Sequence, residues 1–352
     1  MQDILHQFAE TIRDAAARKA PLRIRGGGTK DFYGGPLRGD VLDTTSYSGI
    51  VDYEPTELVI TARAGTPLAE IEAALRASGQ MLAFEPPRYS EGSTLGGCMA
   101  AGLSGPRRPY AGSARDFVLG VRVLDGKGAD LRFGGQVMKN VAGYDVSRLM
   151  VGALGTLGVL TEVSLKVLPL PAAEITVEQE RSPQQALELM NAWAGKPYPI
   201  TATCHMENRL YVRLSGAEPA VRAARQKVGG EETASGAPFW DALRDQKLGF
   251  FDVQEPLWRV SLKPTAPPLA LGDGQLVEWN GALRWISGKV DPEPLREAAA
   301  AAGGHATLFR GGDRAAGVFQ PLAAPLLELH RRLKDTFDPD RILNVGRMYP
   351  DF

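Results

Sequence analysis

The sequence predicts an α+β protein built as two domains, and three observations carry that prediction. A short apolar run, Leu22-Arg23-Ile24, leads straight into Arg25-Gly26-Gly27-Gly28-Thr29-Lys30. Three glycines in a row behind a strand turn the chain sharply and let a ligand approach the main chain. Two further glycine blocks follow, Gly92-Ser93-Thr94-Leu95-Gly96-Gly97-Cys98 and residues 152–158; the interval 92–158 holds 15 glycines in 67 residues, where average usage near 7% would give about five. At Leu168-Pro169-Leu170-Pro171-Ala172-Ala173 the pattern breaks, and the chain beyond alternates strand-like and helix-like segments, the mark of a separate α+β domain.

Each element has its own justification. Residues 3–18 carry Ile4, Leu5, Phe8 and Ile12 on one helical stripe. Leu22–Arg25, 41–43, Ile50–Tyr53 and Leu58–Arg63 are strand-like. Thr66 as N-cap and Pro67 at the first position predict a helix running to about Ala77 and ending near Gly79. Within the glycine-rich interval, Phe117–Leu124 and 131–133 are strands joined by Asp125-Gly126-Lys127-Gly128, a hairpin signal, and Val159–Val167 is a third. In the second half, Ile175–Gln179, Ala202–Met206, Arg209–Leu214, Trp258–Leu262, Ala282–Ser287 and Ala306–Phe309 are strands. Pro183–Ala194, Pro219–Val228, Pro292–Ala302 and Leu322–Phe337 are helices. The expected division is 1–171, 172–330 and a C-terminal segment 331–352.

Composition sets bounds. A chain of 352 residues suits two domains, and 44% hydrophobic with 23% charged residues is ordinary for a globular core. A net charge of −1 gives no electrostatic reason to expect nucleic acid as a partner. No apolar run reaches the roughly 18–20 residues of a membrane span, and Met1-Gln2-Asp3-Ile4-Leu5-His6 has no basic region ahead of an apolar one. A cytoplasmic protein is expected. Cys98 and Cys204 are too few for a disulfide framework or an iron–sulfur cluster, and no metal site is expected.

The glycine turn offers successive amide N–H groups, a concave site for an anion such as a pyrophosphate. Neither a P-loop string nor a Gly-x-Gly-x-x-Gly dinucleotide fingerprint is present. Taken together, residues 22–30, 58–79, 92–103 and 138–171 resemble the FAD-binding domain of the vanillyl-alcohol oxidase (PCMH) type, two α+β subdomains followed by a second α+β domain with an antiparallel sheet. Lys139-Asn140-Val141-Ala142-Gly143-Tyr144-Asp145-Val146 and Gly155-Thr156-Leu157-Gly158-Val159-Leu160-Thr161 are similar to the glycolate oxidase and D-lactate dehydrogenase branch. Residues 25–34, 92–112 and 304–312 resemble, within that branch, the E-subunit family of bacterial glycolate oxidase (glycolate dehydrogenase).

The resemblance implies FAD and assigns its contacts. Arg25, Gly26, Gly27, Gly28, Thr29 and Lys30 would lie at the pyrophosphate. Pro86, Gly92, Ser93, Thr94, Gly96 and Gly97 would line the other side, and Gly155, Gly158 and Val159 would meet the adenine or flavin edge. Asn344, in the returning segment 338–347, would stand near the flavin. Thr29 occupies the place where relatives with covalent flavin carry His, and Cys98 suits a buried packing role, so FAD is expected to be non-covalent.

Oxidising a 2-hydroxy acid requires a cation for the carboxylate and a base for the hydroxyl. Arg107 and Arg310 are the candidate anchors and His305 the candidate base; Arg108 beside Arg107 shares its segment. The Gly-Asp-Gly-Asn-x-His string of the branch's catalytic members is missing here. The resemblance therefore implies a flavin-bearing subunit of a complex converting glycolate to glyoxylate, with a D flavoprotein subunit and an F iron–sulfur subunit as partners and a peripheral place at the inner membrane through them. The alternatives are a free-standing FAD-dependent dehydrogenase for another 2-hydroxy acid such as D-lactate, and a flavin-relay or assembly subunit.

Overall fold

A computed structural model describes residues 2–135, 145–252, 254–269, 274–314, 317–350 and 352. The string 139–144, which carried part of the family resemblance, lies outside these residues.

In chain order the elements are α1 (Gln2–Arg18), β1 (Leu22–Arg25), β2 (Asp40–Asp43), β3 (Ile50–Glu54), β4 (Val59–Arg63), α2 (Leu68–Ala77), β5 (Gln80–Met81), α3 (Leu95–Ala101), α4 (Arg108–Ala111), α5 (Ala114–Phe117), β6 (Val118–Leu124) and β7 (Asp130–Gly134). They continue with α6 (Val146–Met150), β8 (Val159–Lys166), β9 (Leu168–Pro169), β10 (Ala173–Glu180), α7 (Pro183–Ala194), β11 (Ile200–Met206), β12 (Arg209–Gly216), α8 (Glu218–Val228), β13 (Glu231–Glu232) and α9 (Gly236–Arg244). The last are β14 (Leu257–Ser261), β15 (Gln275–Glu278), β16 (Leu283–Ser287), α10 (Pro292–Ala301), β17 (His305–Arg310) and α11 (Ala324–Phe337).

The chain forms two compact units, one of residues 1–103, 113–169 and 321–352, the other of 104–112 and 170–320. In the first unit, among the described residues, β3-β4-β8-β6-β7 make a five-stranded sheet in which every pairing is antiparallel. Its central strand β8 is buried along most of its length on both faces, with only Glu162 and Lys166 partly exposed, so its burial does not alternate in and out. At the β6–β7 hairpin, Asp125 Oδ1 accepts from the amides of Lys127 and Ala129 at 2.9 and 2.8 Å.

A separate parallel pair, β1 and β2, is extended by the C-terminal segment. Leu343 bridges Leu22 in parallel, Leu22 N–H donates to Ile342 O at 2.7 Å, and Asn344 N–H to Leu22 O at 2.8 Å. Helix α1 closes over this layer, burying Leu5, Phe8, Ile12 and Ala15 against Leu22, Leu42, Val159, Ile342 and Leu343. The 3.6-residue spacing of those apolar positions is what makes this segment a helix with one inward face.

In the second unit, among the described residues, the order β13-β10-β12-β11-β15-β16-β14-β17 gives an eight-stranded sheet with antiparallel neighbours. Helices α7 and α8 contribute Ala186, Met190, Val221 and Ala224 to a cluster with Val177, Leu210, Val212 and Leu214. Leu295 and Ala299 of α10 cover Val260, Ile286, Ala306 and Leu308 further along. Reciprocal bonds between Ser182 and Gln185 start α7, and Asp291 caps α10.

Three local expectations are corrected. Helix α2 starts one residue later than predicted: Pro67 is its N-cap, while Thr66 Oγ1 bonds Gly49, accepting from its amide at 2.9 Å and donating to its carbonyl at 3.2 Å. Phe117 ends a short helix, α5, instead of beginning a strand. The second glycine block contains a helix, α3, capped by Thr94 and ended by Gly102 in the left-handed region at φ 62°. Its glycines hid that helix, because glycine disfavours helix interiors and only a favourable tertiary fit overrides the penalty.

Candidate functional site

In the first unit the turn after β1, the start of α3, the segment 153–158 and the C-terminal segment surround one cavity. Arg25, Gly26, Gly27, Gly28, Thr29, Lys30, Thr94, Gly96, Gly97, Gly155, Gly158 and Asn344 all line it. Five further residues that sequence reasoning did not select, Tyr33, Met150, Leu154, Leu160 and Arg347, complete much of the wall.

The turn presents its amides. Asp31 N–H closes it onto Gly28 O at 3.1 Å, and Arg25 Nε pairs with Asp31 Oδ2 at 2.9 Å. Among the described residues, no protein acceptor takes the N–H of Gly26, Gly27, Gly28 or Thr29. Four adjacent donors without a protein acceptor form a concavity suited to an anion. Lys30 adds a cation beside it, its Nζ donating to Ser93 Oγ at 2.8 Å and lying 5.5 Å from the Tyr89 ring centre.

Helix α3 is different. Its first amides are spent within the protein: Leu95 N–H on Thr66 O at 2.9 Å, Gly96 N–H on Ala64 O at 2.7 Å, and Gly97 N–H on the Thr94 hydroxyl at 3.3 Å. This second block lines the cavity with its leading amides already engaged.

The expectation that glycine serves only to admit a ligand is also corrected. A Cβ on Gly27 would stand 1.6 Å from Gly92 O, and one on Gly155, which sits at φ 72°, would stand 2.6 Å from Asn344 Nδ2. These glycines let one protein loop lie against another. A Cβ on Gly97 would meet only Thr94 Oγ1, at 3.2 Å, so there the open side is the cavity.

Asn344 acts as a brace, in the left-handed region at φ 45°. Its Oδ1 accepts from Ile24 N–H at 2.8 Å, and its Nδ2 donates to Leu154 O at 2.6 Å. One side chain thus ties β1 to the segment 153–158 across the cavity wall. Arg347, buried, holds the loop after the glycine turn by donating to the carbonyls of Tyr33 and Gly35. Arg347 lies at the end of the 338–347 string, but nothing in its neighbours marks it as the residue that reaches back.

Four expected contacts do not line the cavity. Gly92 packs its carbonyl against Gly27, and Ser93 accepts from Lys30 Nζ. Pro86 is buried in the loop after β5, and Val159 is fully buried in the core beneath α1. Cys98 is buried in α3, and burial pushes its thiol up to about 12, a packing residue and not a nucleophile.

A cofactor with a pyrophosphate fits this donor set: four free amides, an adjacent ammonium, and a single nearby carboxylate already paired with Arg25. A family model described as an FAD binding domain matches residues 5–134. The glycolate oxidase subunit GlcE of Escherichia coli is 51% identical over 349 residues, 99% of this chain and 98% of that protein. The chain belongs to the GlcE family. Its cofactor is FAD, and the fold is the PCMH-type arrangement that the sequence predicted. The glycolate oxidase subunit GlcD of Bacillus subtilis is more distant, 35% identical over 49% of this chain and 37% of its own length. A solved alkyldihydroxyacetonephosphate synthase shares the fold, with a TM-score of 0.66 at 15% identity, covering 96% of this chain and 75% of that one.

For this GlcE-family chain, the three residues proposed for substrate chemistry all fall in the second unit, and the structure does not bring them together. Arg107 is buried, with Nη2 on Glu174 Oε2 at 2.9 Å and Nη1 near Ser215 Oγ at 3.4 Å, beside β10 and β12. Arg310 and His305 lie on β17, five strand positions from β12, roughly 24 Å across the sheet. Along β17 they occupy opposite ends, roughly 16 Å apart. Arg310 Nη2 is engaged by Phe251 O at 2.8 Å. A two-carbon acid cannot span these gaps, so Arg107, Arg310 and His305 do not form one site. The string Gly304–Gly312 had suggested otherwise because closeness in sequence on an extended strand is not closeness in space.

His205, which no motif singled out, is buried on β11, its Nε2 2.9 Å from Arg181 O. Burial holds its pKa below the usual imidazole value, partly countered by that carbonyl. Among the described residues no group of three or more His, Cys, Asp or Glu could hold a metal, and no helix is long and apolar enough to cross a membrane.

Proposed function

We propose that this chain is the FAD-bearing E-type subunit of a glycolate-oxidising complex, in which glycolate becomes glyoxylate and the electrons leave for an acceptor other than a nicotinamide. The observation that carries the reading is the 51% identity to GlcE over 99% of the chain, together with a first-unit cavity whose unbonded amides suit FAD. Bound FAD supplies a two-electron acceptor. The chain's own part is to hold the pyrophosphate on Gly26–Thr29 with Lys30, and to keep the cavity wall in place through Asn344 and Arg347. A GlcD-type flavoprotein and an F-type iron–sulfur subunit are the partners, with any place at the membrane coming through them.

The scatter of Arg107, Arg310 and His305 favours a second reading, a subunit that relays electrons and completes the complex while another subunit oxidises the acid. Anaerobic mixing with glycolate separates the two. The complex is expected to bleach its flavin band. If the purified chain bleaches alone, the relay reading is wrong; if neither the chain nor the assembled complex bleaches, glycolate is not the substrate.

The flavin is held without a covalent bond, because Thr29 follows the glycine turn and Cys98 is buried with a raised pKa. Acid precipitation is expected to leave a colourless pellet and a yellow supernatant. A yellow pellet would establish covalent attachment.

A further inference from the structure

Across β14 and β17, Arg259 stands opposite Thr307 and Ser261 opposite His305. Residues two apart on a strand share a face, so Arg259 and His305 project from the same side as diagonal neighbours, roughly 7–8 Å apart at the backbone. The opposite side carries Trp258, Val260, Ala306 and Leu308, packed against α10. The Arg259/His305 side also carries the buried Trp285 opposite Arg259 and Leu283 opposite Ser261, so the two polar side chains stand at the margin of an apolar face.

Two guanidinium groups converge on one indole there. Arg259 lies 5.1 Å and Arg108 4.5 Å from the centre of the Trp279 ring. Among the described residues Arg259 makes no ion pair, so its charge is met only by the ring face. Trp279 and Asn280 are both left-handed, at φ 55° and 56°, conformations costing about 1 kcal/mol or more each outside glycine. Asn280 is pinned there by Tyr110 Oη at 2.9 Å and by Thr203 Oγ1 at 3.0 Å, while Trp279 Nε1 donates to Gly105 O at 3.1 Å. The fold thus holds a strained turn in order to set the indole beneath two cations. Partial desolvation of the exposed His305 ring, with Arg259 nearby, lowers its pKa, so near neutral pH the imidazole is uncharged and keeps a lone pair.

We propose that Arg259 and His305 form a recognition site for a small 2-hydroxy acid, Arg259 taking the carboxylate through paired N–H donors and neutral His305 accepting a hydrogen bond from the 2-hydroxyl. This rests on the reading of the chain as part of a glycolate-oxidising system. Arg259 takes the place that Arg310 was expected to fill, because a guanidinium on the neighbouring strand reaches His305 and one at the far end of β17 does not.

The test is an anaerobic titration of the full-length chain with glycolate and with acetate, which lacks the hydroxyl, followed by tryptophan fluorescence with flavin content measured on every sample. Wild type is expected to bind glycolate more tightly than acetate. Arg259→Met should weaken both acids by about tenfold or more, Arg259→Lys by less, and His305→Leu should erase the preference for glycolate while sparing acetate. Flavin-loaded protein that binds neither acid, or whose affinities are unmoved in both Arg259 variants, overturns the proposal and leaves the FAD reading standing. A colourless chain overturns the FAD reading, and the acid titration still decides this site.

Discussion

Gly27→Ala is expected to strip FAD from the protein and to destabilise the first unit. The added Cβ would stand 1.6 Å from Gly92 O, with Gly92 C at 2.6 Å. Both are backbone atoms, so no rotamer change relieves the clash and the two loops must part. Overpacking of this kind costs about 3 kcal/mol at its upper end. Parting the loops also moves the amides of Gly26–Thr29 out of their shared concavity. Gly97→Ala is the contrasting case. Its Cβ meets only Thr94 Oγ1, and alanine within a helix gains roughly 0.5–1 kcal/mol over glycine. That variant should fold at least as well as wild type and lose flavin affinity only because a methyl enters the cavity. The ratio of flavin to protein absorbance and the melting curve of each variant measure the difference. Full flavin occupancy in Gly27→Ala would refute the loop-against-loop account of the site.

Lys334→Met is expected to be the most damaging single change away from the cavity. Lys334 is fully buried in α11, and its Nζ donates to Thr156 O at 2.8 Å, Leu343 O at 2.8 Å and Asp338 Oδ2 at 2.7 Å. Asp338, equally buried, also accepts from the amides of Ile342 and Leu343 at 3.2 and 2.8 Å. Burial lowers the Lys334 pKa and Asp338 pulls it back up. Methionine would leave a buried carboxylate without its cation, a loss on the order of 3–5 kcal/mol. The same ammonium joins the segment 153–158 to the C-terminal segment at Leu343, so flavin affinity should fall with stability. A drop in the first unit's melting temperature on the order of 10 °C is expected. Lys334→Met combined with Asp338→Leu should recover part of it, because removing both charges is far less costly than removing one. A single variant that melts like wild type would show the pair to be dispensable.

How much was legible in the sequence depended on the range of the interaction. The helix at 3–18, the β6–β7 hairpin, helix α7 and the strands of the second unit other than β13 and β15 followed from spacing and turn chemistry, which act over a few residues. Thr66 misled, since its hydroxyl has two competing partners at Gly49, seventeen residues away, and those outrank the adjacent helix end. Helix α3 was masked by its glycines, whose reason is the close approach of Ala64: a Cβ on Gly96 would lie 2.7 Å from that side chain.

The sequence by itself determined the family and the cofactor, through the resemblance carried by its glycine blocks and the strings around them, and it marked the turn after β1 as a place where amides could meet an anion. The tertiary structure alone decided which glycines serve a ligand and which serve a neighbouring loop, that Asn344 and Arg347 reach back over three hundred residues to hold the wall, and that His305 lies beside Arg259 and far from Arg107. The physical reason is the same in each case. A side chain's role is set by what lies within a few ångströms of it, and across a sheet or between a chain's two ends that neighbour is chosen by strand order and register, which no local pattern encodes.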